Sequence, residues 1–355
     1  MHPIFDEILP HYKLSEFPAL REQAKRWEKE RPLEGLEILD CTPVFRNTMT
    51  KYAALLCAGA KLSVHVGRVM PCDPEIVKIL PRFGIRVISG PLCKESFDCV
   101  SDCAGDHSYV TSRLGYVELT RSGGFAYQNA KQPVFWSDKS EIKEIETGLG
   151  TGDGFRRALA SLKLGDFKGQ KIVLFGSGKV GTGVAMYVTS GGASLTVVED
   201  TRRVPKAPYG ARLLDLSDKE AIEAAIREAT CVVTATGVRH ALVGHVDPEV
   251  MVNSKAMLVN LGVEDEYGDG VPADRVLNAK KPINFILNEP TLLRYIDPTM
   301  ALQNEGILYL ATHSNLPAGL ITPPEPMVQS ILDTVREEGL ITPELDLLFS
   351  AYQTK

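Results

Sequence analysis

The chain lacks the features that mark several classes of protein. Its seven cysteines include no CxxC pair, so the sequence predicts neither a disulfide framework nor a metal site. It has no long basic run and a net charge of −6, so we expect no nucleic-acid partner. No apolar run reaches the roughly 18 residues that span a bilayer, and acids near the N-terminus argue against a signal peptide. We therefore expect a cytoplasmic protein with reduced thiols and no membrane partner.

The length and the apolar pattern predict two α/β domains. A chain of 355 residues exceeds the usual size of a single hydrophobic core. From residue 171 onward, short apolar runs alternate with helical patterns, the last of these runs covering 283–287. This alternation predicts a Rossmann-type, doubly wound parallel sheet in a dinucleotide-binding domain over 149–322.

The remaining residues have a βα rhythm of their own. Residues 1–148, completed by 325–355, are predicted to form the second α/β domain, which would bind the substrate. A helical pattern over 137–162 joins the two domains. Alternate glycines interrupt that pattern at Gly148, Gly150, Gly152 and Gly154. Glycine weakens a helix, so we expect a hinge that bends or approaches a ligand closely.

A glycine motif carries the nucleotide signature. Residues 171–200 read KIVLFGSGKVGTGVAMYVTSGGASLTVVED, which predicts a strand, a glycine turn, a helix and a second strand that ends on acids. The first glycine permits the tight turn, the second lets the backbone approach a pyrophosphate, and the third lets the helix pack against the strand. The helix N-terminus offers free N–H groups to phosphate. The predicted loop comprises Gly176, Ser177, Gly178, Lys179, Val180 and Gly181.

The acids after the second strand bear on the choice of cofactor. Glu199 lies where a carboxylate accepts the ribose hydroxyls of NAD, and it would repel the phosphate of NADP. Asp200 follows it, but Arg202 and Arg203 come next and leave NADP open. The sequence thus predicts bound NAD. An empty fold, or one that holds an adenosyl ligand, is the alternative.

Further motifs resemble those of the S-adenosyl-L-homocysteine hydrolases, or adenosylhomocysteinases, from about residue 33 to about 265. LEGLEILDC and CAGAKLSVHVGR look like the first two strands of that family, and SDCAGDH is similar to its Asp-Gly-Gly-Asp turn. VELTRSGG resembles its Glu-Thr-Thr-Thr-Gly segment, GLGTGDG its hinge helix, TATG its Thr-Thr-Gly loop and VNLGVED its Asn-Ile-Gly-His-Phe-Asp loop. The common order of these motifs favours a divergent member of the family.

The resemblance implies a cofactor site that is kept and a substrate site that is changed. Family members oxidise a ribose hydroxyl with tightly bound NAD, eliminate homocysteine, add water and reduce the product. At positions where they carry acid–base groups, this chain has Cys103, Leu119 and Val263. We therefore expect no hydrolysis of S-adenosylhomocysteine. The resemblance adds NAD contacts at Thr120, Thr151, Thr236, Gly237 and Gly262.

Candidate substrate and catalytic residues follow the strands of the first domain. Arg46, His65 and Arg68 come after its first two strands, where guanidinium groups suit a carboxylate or a phosphate. A solvated rim explains the arginines equally well. Asp102 and His107 form a pair that can relay a proton during hydride transfer, although a loop histidine is often an ordinary surface residue.

Other candidates are less well supported by their context. Lys143 is a possible general base, with a solvated helix face as the alternative. His313 lies where the family has another histidine near the cofactor, but the spacing differs. Cys99 and Cys103 lie near His107 in the chain, and partly buried thiols at a strand end explain that spacing without a metal.

Two functional hypotheses remain open. The first is an NAD(P)-dependent oxidoreductase-type enzyme that acts on a small anionic substrate in the interdomain cleft. The second is a non-catalytic paralogue that binds NAD or an adenosyl ligand in order to sense it or to hold a partner. For either function, the family resemblance implies a homo-oligomer, and we expect a homodimer.

Overall fold

The computed structural model describes residues 2–67, 70–92 and 95–353. The chain divides into two compact units. Unit 1 comprises Met1–Lys143 and Leu293–Thr342, and unit 2 comprises Glu144–Leu292 and Pro343–Lys355. Each unit contains one parallel β-sheet with α-helices in its crossover connections, which confirms the predicted α/β fold class.

Twelve strands occur within these described ranges. They are β1 (Glu37–Asp40), β2 (Lys61–His65), β3 (Arg86–Ile88), β4 (Ser96–Asp102), β5 (Thr111–Glu118), β6 (Pro133–Trp136), β7 (Lys171–Phe175), β8 (Ser194–Glu199), β9 (Arg212–Asp215), β10 (Cys231–Thr234), β11 (Met257–Asn260) and β12 (Gly319–Ile321). The sheet of unit 1 has the order β12-β6-β5-β4-β1-β2-β3, and that of unit 2 the order β11-β10-β7-β8-β9.

The strand order of both sheets reverses at one point, as in Rossmann folds. In unit 1 the first strand, β1, lies between β2 and β4, and all neighbouring strands are parallel. In unit 2 the first strand, β7, lies between β8 and β10, again with parallel neighbours only. Ligands of such sheets bind at the carboxyl ends of the strands, where the order reverses.

Helices fill most of the connections. Among the described residues the α-helices are Phe5–Ile8, Pro18–Glu30, Thr48–Cys57, Pro74–Ile79, Arg121–Ala126, Ile142–Glu144, Thr151–Ser161, Lys179–Ser190, Lys219–Glu228, Pro248–Asn253, Leu293–Thr312, Glu325–Glu338 and Thr342–Phe349. A π-helix covers Ile145–Gly150. None of the helices in the described part of the chain is long and apolar enough to cross a membrane.

The sheet of unit 2 is apolar on both faces. Ile172 and Leu174 of β7 belong to one buried cluster, whereas Val173 and Phe175 of the same strand belong to another. Alternate residues of a strand point to opposite faces. The strand is therefore covered on both sides, which explains why its sequence reads as a continuous apolar run.

The strand predicted from the last apolar run of the nucleotide domain, at 283–287, is wrong. Residues Ile283–Ile286 form a 3₁₀ helix, in which Ile283 is buried while Phe285 and Ile286 are largely exposed. A strand in a covered sheet would bury both of its faces. An apolar run alone does not distinguish a strand from such a turn.

The unit boundaries differ from the predicted domain boundaries at two places. The helix Leu293–Thr312 belongs to unit 1, where Asp297 accepts hydrogen bonds from the backbone N–H groups of Ala19 and Leu20, both at 3.0 Å. The C-terminal residues belong to unit 2, where the Tyr352 hydroxyl donates to the carbonyl oxygen of Ser177 at 2.9 Å. In both cases long-range contacts outweigh continuity along the chain.

The glycines of the predicted hinge segment serve helix packing. A Cβ on Gly152 would lie 2.8 Å from the Gly183 carbonyl carbon, and one on Gly183 would lie 1.9 Å from the Gly148 carbonyl oxygen. The π-helix and the helix Thr151–Ser161 therefore contact the helix Lys179–Ser190 backbone to backbone. Gly148 and Gly152 of the predicted hinge segment thus lie against the backbone of that helix.

Candidate functional site

The three glycines of the loop after β7 differ in how closely other atoms approach them. Gly176 has a φ of +93°, which glycine adopts without strain, and a Cβ there would lie 2.6 Å from the Ala235 carbonyl oxygen. A Cβ on Gly181 would lie 2.1 Å from the Gly176 carbonyl oxygen. A Cβ on Gly178, in contrast, meets no atom of the described residues within 4 Å. Packing thus requires Gly176 and Gly181, whereas the open space at Gly178 is accessible to a ligand.

Glu199 ends β8 with its carboxylate turned toward this loop. Its Oε1 accepts hydrogen bonds from the Ser177 backbone N–H at 2.6 Å and from Ser177 Oγ at 3.2 Å. Asp200 accepts two hydrogen bonds from the Arg202 guanidinium, at 2.8 and 2.9 Å, and the Arg203 guanidinium lies 3.7 Å from the same carboxylate. Asp200 is therefore the carboxylate with which both arginines pair, and Glu199 stays directed at the glycine loop.

A buried carboxylate that sequence analysis missed organises the loop after β10. Glu266 accepts hydrogen bonds from the backbone N–H groups of Thr236 at 2.9 Å and Gly237 at 2.7 Å. A Cβ on Gly262 would lie 2.1 Å from Glu266 Oε1, so that glycine makes room for the carboxylate. Burial raises the pKa of Glu266. The predicted cofactor contacts Thr236 and Gly237 therefore lie in a loop that Glu266 holds in place. Their backbone N–H groups already donate to its carboxylate.

A cavity of about 680 Å³ lies elsewhere in unit 2. Its lining includes Ile172, Cys231 and Met257, which lie at the amino ends of β7, β10 and β11. The glycine loop leaves the opposite, carboxyl end of β7. Because parallel α/β sheets bind ligands at the carboxyl ends of their strands, we assign no function to this cavity.

Hydrogen bonds link several strand ends of unit 1 where its strand order reverses. Asp102 ends β4, His107 follows it, and His65 ends β2. Asp102 Oδ1 lies 2.9 Å from His107 Nδ1, and His107 Nε2 lies 2.9 Å from His65 Nδ1. His65 Nε2 in turn lies 3.1 Å from the carbonyl oxygen of Gly90. The structure thus brings together three of the residues singled out from the sequence.

The partners of Asp102 determine which nitrogen of His107 carries a hydrogen. Asp102 is fully buried and accepts hydrogen bonds from the backbone N–H groups of Cys103 and His107 and from the Tyr127 hydroxyl. Burial and the Asp102 charge raise the pKa of Tyr127, so the phenol stays protonated. The carboxylate is therefore an acceptor on all sides, and His107 Nδ1 is the donor of their shared hydrogen bond.

His65 is constrained from its other side. The Gly90 carbonyl oxygen can only accept, so Nε2 of His65 carries a hydrogen. Burial lowers the pKa of His65, and the neighbouring His107 lowers it further. Both effects favour the uncharged form of the imidazole.

Cys41 joins this cluster although no sequence motif marks it. It directly follows β1 and is fully buried. One ligand atom each of Cys41, His65 and His107 lie within 4.8 Å of one another. Burial raises the pKa of the Cys41 thiol well above its usual range, and the charge of Asp102 adds to the shift.

Glu118 is a second acid that the sequence analysis missed. It ends β5, is fully buried, and accepts hydrogen bonds from the Thr120 hydroxyl at 2.7 Å and the Gly105 backbone N–H at 3.1 Å. Burial and the nearby Asp102 raise the pKa of Glu118 to about 7. Thr120, predicted to contact the cofactor, also accepts from Gly123 N–H as the N-cap of the helix Arg121–Ala126. Its hydroxyl thus has structural partners in unit 1.

The other predicted catalytic residues lie outside this hydrogen-bonded chain. Lys143 is only 3% exposed, so the alternative of a solvated helix face is wrong for this residue. His313 is exposed after the helix Leu293–Thr312, with its ring stacked on Tyr309 at 4.0 Å between centroids. Its hydrogen bonds go to Tyr309 and Thr312. Neither residue is a partner of Asp102, His107 or His65 in the contacts that the structure describes.

The remaining predicted residues are placed by their elements. Arg46 is half-buried in the connection between β1 and the helix Thr48–Cys57, and Thr151 begins the helix Thr151–Ser161. Lys179 and Val180 begin the helix Lys179–Ser190. Arg68 lies outside the described residues.

The positions that depart from the family pattern carry little acid–base capacity. Cys103 and Leu119 are each 8% exposed, and Val263 is 89% exposed. The last two have no titratable group at all. The exposed Val263 neighbours Gly262, where the family pattern has a histidine.

Comparison with known proteins agrees with the motifs. No family model matches the chain. It is 29% identical to the adenosylhomocysteinase of Sulfurisphaera tokodaii over 213 residues, which are 51% of this chain and 50% of that protein. It is 28% identical to that of Sulfolobus acidocaldarius over 253 residues, 62% of this chain and 59% of that protein. The adenosylhomocysteinase of Pyrobaculum aerophilum is 25% identical over 331 residues, 78% of this chain and 73% of that protein.

The matches to the first two relatives thus span about half to three fifths of their length. Among solved structures, a dipicolinate synthase component from Bacillus halodurans covers 79% of this chain and 99% of its own, with a TM-score of 0.47 and 12% identity. The resemblance predicted from the motifs is confirmed by these sequence matches: the chain is similar to adenosylhomocysteinases at 25% to 29% identity.

Proposed function

We propose that the chain is an NAD-dependent oxidoreductase-type enzyme that acts on a small anionic substrate other than S-adenosylhomocysteine. The observation that carries this proposal is the glycine loop of unit 2. Packing requires Gly176 and Gly181, while Gly178 leaves open space at the start of a helix of 12 residues. The first N–H groups of such a helix have no partner within it and bind phosphate oxygens.

Each part of unit 2 has a task in this proposal. NAD, when bound, supplies the acceptor or donor of a hydride ion. The N–H groups of the glycine loop would bind the pyrophosphate, and Glu199 would accept hydrogen bonds from the ribose hydroxyls. The loop of Thr236 and Gly237, which Glu266 braces, would keep a fixed shape beside them. The pairing of Arg202 with Asp200 supports NAD rather than NADP.

We assign the chemistry on the substrate to the cluster of Asp102, His107 and His65 in unit 1. Oxidation of an alcohol releases a proton along with the hydride. A nearby side chain must therefore accept that proton or polarise the hydroxyl. Asp102 orients His107, and His107 contacts His65. The half-buried guanidinium of Arg46 suits a carboxylate or phosphate group of the substrate.

A non-catalytic role is the competing function. Leu119 and Val263 replace acid–base groups of the family pattern, which supports a protein that binds NAD or an adenosyl ligand without turnover. We also propose a cytoplasmic homodimer, by analogy with the family. Sedimentation equilibrium would test the dimer.

Calorimetric titration with NAD and NADP tests the cofactor site. We expect NAD to bind the wild-type chain, and Gly178→Ala to weaken it at least tenfold because the new methyl group fills the open space. Glu199→Ala should weaken NAD about tenfold, the effect of one lost charged hydrogen bond. Glu220→Ala, at an exposed position of the helix Lys219–Glu228, is the control. A folded protein that binds neither nucleotide would refute the proposal.

Turnover separates the two functions. Small hydroxy acids and their phosphate esters would be screened for a change in nicotinamide absorbance. A substrate that is oxidised in wild type, and far more slowly in Asp102→Asn, supports the enzyme. Tight NAD binding without turnover of any such compound favours the non-catalytic role.

A further inference from the structure

Two imidazole nitrogens face each other in unit 1, His107 Nε2 and His65 Nδ1. Asp102 holds His107 Nδ1 as a donor, and the Gly90 carbonyl oxygen holds His65 Nε2 as a donor. In neutral rings the other two nitrogens, His107 Nε2 and His65 Nδ1, are both acceptors. They nevertheless lie 2.9 Å apart. Two lone pairs at this distance repel each other unless a proton or a metal cation lies between them.

A third ligand atom favours the metal cation. The Cys41 thiol lies in the same cluster, with the three ligand atoms within 4.8 Å of one another. A shared proton would satisfy the two imidazoles but would leave Cys41 without a role. We propose that Cys41, His65 and His107 bind a divalent transition-metal ion, with Zn²⁺ as the best fit to one sulfur and two nitrogen ligands.

The surroundings of the histidines are those of metal ligands. A metal-bound histidine usually donates its other N–H to a carboxylate or a backbone carbonyl, which fixes the ring and its tautomer. Here His107 donates to the Asp102 carboxylate and His65 to the Gly90 carbonyl. The carboxylate and the carbonyl are thus the partners expected of metal-bound histidines. The remaining nitrogens, His107 Nε2 and His65 Nδ1, point toward each other.

Charge balance supports the same ion. Asp102 is fully buried, and its hydrogen-bond partners are backbone N–H groups, a phenol and an imidazole. A buried carboxylate without a cation is costly. A divalent ion would be neutralised by the Cys41 thiolate and the Asp102 carboxylate together. Binding would release the proton of the thiol, as metal binding to cysteine requires.

The distances need only a small adjustment. Zn–N bonds of about 2.0–2.1 Å and Zn–S bonds of about 2.3 Å place the ligand atoms of a tetrahedral site about 3.3–3.7 Å apart. The two nitrogens, now at 2.9 Å, must separate slightly, and the sulfur must approach by at most about 1 Å. Side-chain rotations supply movements of this size.

The three ligands leave a fourth position open, which is typical of catalytic rather than structural zinc. His65 is only half-buried, so the cluster lies close to the surface of unit 1. The cluster lies at the carboxyl ends of β1, β2 and β4, where the strand order reverses. A water molecule or a substrate oxygen would bind there. The inference goes beyond the proposed function, since all three ligands lie in unit 1 and the NAD site is in unit 2.

Metal titration of the full chain tests the site. The protein would be prepared without a histidine tag, stripped with a chelator and titrated with Co²⁺, whose absorption reports a thiolate ligand and tetrahedral geometry. We expect one Co²⁺ per chain, displaced by one Zn²⁺. Cys41→Ser should abolish the thiolate band, and His107→Gln should weaken binding more than roughly 100-fold. Asp102→Asn should weaken Zn²⁺ binding about 10- to 100-fold.

Two variants serve as matched controls in the same unit. Cys72→Ser removes an exposed thiol, and His313→Gln removes an exposed imidazole; both should bind Co²⁺ as wild type does. If the stripped wild-type chain is folded by circular dichroism but takes up no Co²⁺, the proposal is wrong, whether or not NAD binds. It is equally wrong if the thiolate band persists in folded Cys41→Ser, or if Cys72→Ser abolishes it. Should Cys41→Ser not fold, His107→Gln and the wild-type titration still decide.

Discussion

The two sheets reverse their strand order in the same way. The carboxyl ends of their strands nevertheless present different chemistry. In unit 2 the groups proposed to bind the pyrophosphate are backbone N–H groups of the glycine loop after β7, and Glu199 is the side chain directed at that loop. In unit 1 the candidate functional groups belong to buried side chains, among them Asp102, His107 and Cys41. Parallel α/β sheets bind ligands where the strand order reverses. In this protein that position carries a backbone loop in one unit and a cluster of buried side chains in the other.

This difference predicts which substitutions each unit tolerates. A site made of backbone depends on residues that lack a Cβ, and a site made of buried charges depends on each charge having its partner. We therefore expect unit 1 to be sensitive to charge and pH, and unit 2 to be sensitive to added volume. The following predictions test this contrast.

The largest effect is expected for the buried ion pair beneath the unit 1 cluster. Lys51 and Asp40 are fully buried and paired, and Asp40 directly precedes Cys41 in the chain. Lys51→Met leaves the Asp40 charge without its partner, which should lower the free energy of unfolding by about 3–5 kcal/mol. Denaturant unfolding measures this loss. Lys61→Met, at an exposed position, is the control, and equal effects of the two variants would contradict the prediction.

A pH dependence is expected for another buried acid of unit 1. Burial raises the pKa of Asp297 to about 7, against hydrogen bonds from Leu20 and Ala19 that lower it. Because the folded pKa lies above the unfolded one, the protonated acid stabilises the fold at low pH. This stability is lost as pH rises from about 4 to about 7.

Thermal unfolding over this pH range tests the assignment to Asp297. The melting temperature of wild type should fall relative to that of Asp297→Asn as pH rises. Parallel curves for the two proteins would show that Asp297 does not titrate in this window. Glu305→Gln on the same helix, partly exposed, controls for a general change of charge.

In unit 2 we expect added side-chain volume at the closely packed glycine to lower stability. Gly181→Ala places a methyl carbon 2.1 Å from a backbone oxygen, whereas Gly178→Ala places one in open space. The first should cost about 1–3 kcal/mol of stability, and the second should leave stability nearly unchanged. Equal melting temperatures of the two variants would refute the distinction between packing glycine and ligand glycine.

The smallest effect is expected for the arginines after β8. Arg202 is 87% exposed and paired with Asp200, and exposed ion pairs contribute little. Arg202→Ala should therefore change the affinity for NADP less than about threefold. A larger loss, measured by calorimetric titration, would mean that Arg202 binds the NADP phosphate and that the choice of NAD is wrong.

Much of the fold was predictable because its signals are local. The apolar pattern predicts a helix over Lys219–Glu228 and a strand over Arg86–Ile88, and the structure has both with these bounds. Each is a short periodic run between turn residues. The run at Ile283–Ile286 was mistaken for a strand because apolarity alone does not specify extended backbone. The helix Leu293–Thr312 falls in unit 1 rather than with the predicted nucleotide domain, and its Asp297 accepts hydrogen bonds at the start of a helix far away in the chain.

By itself, the sequence determined the glycine loop, because its spacing encodes a turn, a helix start and a close contact within a few neighbouring residues. Only the tertiary structure decided the cluster of unit 1. His65 and His107 lie 42 residues apart in the chain and meet because parallel strands deliver their carboxyl ends to one edge. Glu266 and Cys41 likewise gained their partners through strand register and burial. Local patterns specify backbone geometry, whereas side chains from separate strands meet only once the sheet has formed.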